Sequence, residues 1–148
     1  MSQTPSGPAP GERIIVGVDG SDNAKEALRV AAELSRVLGA PLEAVMCWQD
    51  PLQFYEGYYP LDSETVRAGS EMALQATITE VFGEQPPAHL TTRLLRGRAA
   101  EQLIEASRTA RLLVVGRRGT GGVLGAMLGS VSSSLVSHAH CSVLVVRT

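Results

Sequence analysis

The chain has 148 residues, 44% of them hydrophobic, which suits one compact domain with a core of its own. Thirteen basic residues against fifteen acidic ones leave a formal net charge of -2 at pH 7, so the chain advertises a surface for neither nucleic acid nor an anionic membrane. No apolar run reaches the ~18 residues of a membrane span, and the opening MSQTPSGPAPGE lacks the segments of a signal peptide, so the expected location is the cytoplasm.

Residues 1–12, rich in Pro, Ser and Gly, hold little to bury and predict a disordered arm ahead of a domain over 13–148. RIIVGVD, from Arg13, is a short β-branched run of the kind buried on both faces of a sheet. SDNAKEALRVAAELSRVLGA follows with Ala24, Ala27, Leu28, Ala31, Leu34 and Leu38 at helical spacing, Ser21 or Asp22 as N-cap and Gly39 as the stop. The alternation continues with the strand PLEAVMCW, a helix from about Ser63 to Phe82, the strand LTTRLL, the helix AAEQLIEASRTA and the strand RLLVVG. Gly69 predicts a kink or a later start in the second helix. A last helix, SVSSSLVSHA, and a last strand, SVLVVR, close the chain. Five strands joined by helical crossovers pair in parallel, so the fold class is α/β, a doubly wound sandwich.

Between the fourth strand and the last helix lies GRRGTGGVLGAMLGSVS, residues 116–132, with six glycines. Ligands of open parallel sheets collect at the carboxyl ends of the strands, and a helix N-terminus with bare amides suits an anion. Ser130 and Ser132 add hydroxyls, while Arg117 and Arg118 offer charge-assisted bonds to a phosphate. The usual phosphate motifs are absent. Lys25 is the only lysine, so no G-x-x-x-x-G-K-[ST] exists, and the stretch contains no G-x-G-x-x-G. Asp19, closing the first strand, is placed either to accept from a ribose hydroxyl or simply to hold the turn. Trp48, ending the second strand, either stacks an adenine or packs.

The spacing Gly116, Gly119, Gly129, Ser130 matches the pattern G-x2-G-x9-G-[ST], and with IIVGVDGS, GRAAEQLIEAS and GSVSSSLVSHAHCSVLVVR in that order the chain resembles a universal stress protein from Arg13 to Arg147. The resemblance implies a Rossmann-like five-stranded sheet of order 3-2-1-4-5, bound ATP with Mg²⁺ held mainly by its phosphates, and a homodimer through the terminal strand, 142–147. By matching position it implies a phosphate and ribose site at Gly116, Gly119, Gly129, Ser130, Val131 and Ser132, with Val115 and Arg117 adjacent. The adenosine side falls to Gly17, Val18, Asp19 and Trp48. Some positions depart from the family pattern: Arg111 replaces an acidic residue, Cys47 a frequent histidine, Ser142 a frequent proline and Thr120 a position often basic. None belongs to the signature.

SHAHCS brings His138, His140 and Cys141 together, but no partner set with metal-ligand spacing accompanies them. Cys47 and Cys141 read as small buried hydrophobes. QFYEGYYP, residues 53–60, reads as a lid over the ligand or as a packing surface. The expected function is that of a cytoplasmic, dimeric, ATP-binding regulatory module. A slow ATPase or phosphotransferase needs a positioned base that the sequence does not offer. A nucleotide-free dimerisation protein is the third possibility, and the intact glycines count against it.

Overall fold

The computed structural model describes residues 11–51, 62–118 and 128–147. In chain order they form β1 (Ile14–Val18), α1 (Asp22–Leu38), β2 (Leu42–Trp48), α2 (Ser63–Phe82), β3 (Leu90–Arg96), α3 (Ala99–Ala106) with a 3-10 turn over Ser107–Thr109, β4 (Leu112–Gly116), α4 (Ser130–His138) and β5 (Ser142–Val146). Gly11, assigned from sequence to the arm, donates its N–H to the Thr109 carbonyl at 2.9 Å.

Local chemistry sets the boundaries. The Ser21 hydroxyl caps α1 by accepting from the Ala24 amide at 3.2 Å, and Gly39 ends the helix in the left-handed region at φ 64°. Asp62 caps α2 through the Thr65 amide at 2.7 Å. Gly69 sits inside an unbroken α2 rather than at a kink. Burial of Leu74 and Ile78 further along the helix outweighs the weak helix preference of one glycine.

The sheet is wholly parallel in the order β3-β2-β1-β4-β5. Alternation on the strands divides the interior in two. Ile14, Val16, Ala44, Met46 and Val114 meet α1 and α2 on one face, where Ala27, Leu28, Leu74 and Ile78 are buried. Ile15, Val45, Leu113 and Val115 meet Leu103 of α3 and Leu135 of α4 on the other. Each fully buried Leu or Ile contributes about 1.5–3 kcal/mol of apolar transfer. A salt bridge, Lys25 Nζ to Glu80 Oε2 at 2.7 Å, ties α1 to α2.

One register detail positions the site. β1 pairs with β4 only from Ile14↔Leu112 to Val16↔Val114, although both strands run two residues further. The chain leaves β1 toward one face and β4 toward the other, so this is the reversal of winding where doubly wound sheets open a crevice.

Candidate functional site

A cavity of about 300 Å³ occupies that crevice. Its floor is Gly17, Val18 and Asp19 of the β1 end with Val115 and Gly116 of the β4 end. Gly129, Ser130, Val131 and Ser132 at the start of α4 form one side, with Arg118. Val45 and Cys47 of β2 with Ala99 and Leu103 of α3 form the other.

The α4 side presents a helix N-terminus, which can receive an anion. Gly129 is the N-cap residue, in extended conformation at φ -64° and ψ 163°, and it has no side chain with which to cap. The amides of Ser130, Val131 and Ser132 lie in the first turn, where no acceptor exists within the helix. The Gly129 amide itself is taken, donating to the Arg117 carbonyl at 2.8 Å. Ser132, 3% exposed, donates its hydroxyl to the Gly116 carbonyl at 2.6 Å, which staples α4 to the end of β4. The Gly129 amide and the Ser132 hydroxyl thus serve the frame, while Ser130, Val131 and Ser132, whose amides open the helix, line the cavity.

The glycines have distinct reasons. A Cβ on Gly116 would lie 2.8 Å from the Asn23 carbonyl carbon, oxygen and Cβ, so Gly116 lets α1 approach β4. A Cβ on Gly17 would lie 3.0 Å from Leu103 Cδ1 and 3.3 Å from Val115 Cγ1. Both glycines allow close packing of the frame, the first against backbone. Gly119 lies outside the described residues, as do Thr120 and the aromatic stretch 53–60.

Asp19 lines the cavity, and its Oδ1 accepts from the Ser21 amide at 2.9 Å, fixing the turn in which Gly20 takes φ 84°. Two predicted residues are not among those lining the cavity. Arg117 engages its backbone, donating N–H to the Val146 carbonyl at 2.9 Å. Trp48 lies with the Arg96 guanidinium 5.5 Å from its ring centroid, and Arg96 is held by Asp50 Oδ2 at 3.0 and 2.6 Å. Arg96 thus makes a cation–π contact with one face of the Trp48 ring. The Asp50 carboxyl also accepts from the Ser63 hydroxyl at 2.5 Å; that bond first, and Arg96 second, hold its pKa below the usual carboxylate range.

Cys47 enters the cavity in place of Trp48. Burial pushes its thiol up to about 11, against the opposing pull of Arg93, a guanidinium whose Nη2 lies 3.0 Å from Glu43 Oε1. Sequence reasoning missed Val45, Cys47, Ala99 and Leu103. The alternation of β2, which puts Val45 and Cys47 on one face, was the available signal. No group of three or more His, Cys, Asp or Glu side chains suited to a metal occurs among the described residues.

A family model for the Universal stress protein family matches residues 11–147. The chain belongs to the universal stress protein family. Universal stress protein Rv2005c of Mycobacterium tuberculosis is 32% identical over 134 residues, 90% of this chain and 45% of that one. The chain thus spans less than half the length of this curated relative. Among solved structures, universal stress protein UspA from Lactobacillus plantarum superposes with a TM-score of 0.76 at 27% identity, covering 95% of this chain and 100% of that one. The universal stress protein from Archaeoglobus fulgidus in complex with dAMP shares the fold at TM-score 0.63 and 23% identity, with 90% and 95% coverage.

Proposed function

We propose that the cavity binds an adenine nucleotide, ATP in the first place, and that the protein is a cytoplasmic homodimeric module whose partner choice follows nucleotide occupancy. The observation that carries this reading is the uncapped start of α4 opening into a cavity of about 300 Å³. A dAMP complex of a protein with the same fold agrees with it. The amides of Ser130 to Ser132 and the Ser130 hydroxyl would receive a phosphate, Arg118 would add charge, and Gly17, Val18 and Asp19 would border the ribose. Gly119 belongs to the same proposed cradle by its place in the signature. Mg²⁺, where present, would be held mainly by the nucleotide's own phosphates. Pairing of two copies through the β5 edge would cover an otherwise open strand, 142–147.

The test is extraction of purified protein followed by mass identification of released small molecules, together with calorimetric titration of ATP and AMP. Co-purified adenine nucleotide, or saturable binding of either, supports the proposal; no released nucleotide and no heat of binding overturn it. Sedimentation velocity distinguishes one chain from two.

A further inference from the structure

The cavity is unlike at its two ends. β2 and β4 flank β1 on opposite sides, so side chains of β2 lie two strand spacings, about 10 Å, from those of β4. At the β4 end stand the first-turn amides of α4 and Arg118. At the β2 end stand Val45, Cys47, Ala99 and Leu103, and among these described residues Cys47 Sγ is the side-chain atom able to hydrogen-bond. A ligand that is anionic at one end and flat and apolar at the other fits in one direction, phosphate on α4 and heterocycle against β2 and α3.

Trp48 is not among the residues lining that end, and the Arg96 guanidinium lies over its ring. Resting on the nucleotide reading above, we propose that Cys47 touches the base of the bound nucleotide and donates its S–H to a ring nitrogen, which makes it the specificity-determining side chain of the cavity. The protonation state suits the role. With its thiol pushed up to about 11, Cys47 is neutral at physiological pH and acts as a donor toward an acceptor nitrogen. A thiolate there would offer no donor. The same neutrality makes Cys47 a poor nucleophile, consistent with a contact rather than a reaction. Leu103, 3% exposed and packed where a Gly17 Cβ would stand, limits how deep the ring enters.

The experiment is a calorimetric cycle on the full chain, using AMP and its 1-, 3- and 7-deaza analogues, each of which replaces one ring nitrogen with C–H. Native protein and Cys47→Val, which removes the donor and puts an apolar, slightly larger group in its place, are compared. One analogue is expected to bind native protein about two- to fivefold more weakly than AMP, the range of a weak net hydrogen bond, and to match AMP in Cys47→Val. Equal penalties in both proteins, or none in either, overturn the inference while leaving the nucleotide reading standing. Failure of native protein to bind AMP and ATP overturns both. Should Cys47→Val not fold, alkylation of native protein by N-ethylmaleimide, followed at the Cys47 peptide by mass, gives the second measurement. Saturating AMP is expected to slow labelling of Cys47 at least tenfold and to leave Cys141 unchanged; undiminished labelling of Cys47 overturns the contact.

Discussion

Gly116→Ala tests whether the glycine at the end of β4 exists for packing. The added Cβ would stand 2.8 Å from three atoms of Asn23, two of them backbone, closer than carbon atoms approach without displacement. Asn23 belongs to the first turn of α1, whose Ala24, Ala27 and Leu28 are locked in the core, so the helix cannot yield freely. Overpacking of this kind costs about 1–3 kcal/mol. In a domain of this size each kcal/mol lowers Tm by about 2–4 °C, giving a fall of roughly 2–12 °C in a thermal melt followed by circular dichroism. Gly69→Ala is the matched control: nothing lies within 4 Å of its added Cβ, and the residue is in the interior of α2. It should raise stability by about 0.5–1 kcal/mol. A Gly116→Ala protein that melts with the parent, or a Gly69→Ala protein that melts below it, would refute the assignment of one glycine to close approach and the other to tolerance.

Ser132→Ala removes the hydroxyl that reaches the Gly116 carbonyl at 2.6 Å and should lower stability by about 1–3 kcal/mol in urea denaturation; an unchanged midpoint would show the staple to be dispensable. Asp50 has a depressed folded pKa, so its contribution is present above its unfolded value near 4 and fades as pH falls through the folded value. Asp50→Asn should therefore flatten the Tm profile on the acid side, below about pH 4, and an acid limb as steep as the parent's would contradict this. Trp48 is the only tryptophan, so its emission reports on one place. Saturating nucleotide should change it little, whereas Arg96→Ala should change it directly; strong quenching by an adenine nucleotide would put the base on that ring.

The sequence spoke clearly where neighbouring residues decide the structure. β1 and α1 are legible because a β-branched run meets a Ser cap, an apolar stripe and a glycine stop within one short segment. The glycine stretch also showed that backbones come close there, but not to what: Gly116 approaches α1, and the Ser132 hydroxyl turns back to β4. Those partners are set by tertiary packing across elements far apart in the chain. Nor does anything local to β2 announce that Arg96, at the end of the neighbouring β3, lies over the Trp48 ring, so the sequence left stacking and packing both open there. Cys47 was treated as filler, although its alternation with Val45 already gave it a place on the face that α3 shares with the cavity.

A sheet whose strands all run one way makes each crossover helix set out from the same rim. Positive helix ends therefore gather on one edge and negative ends on the other, giving the molecule an electrical polarity that no residue count reveals. A chain that is mildly acidic as a whole can thus present a locally positive rim at the cavity, and the nucleotide proposed for it would meet that rim phosphate-first.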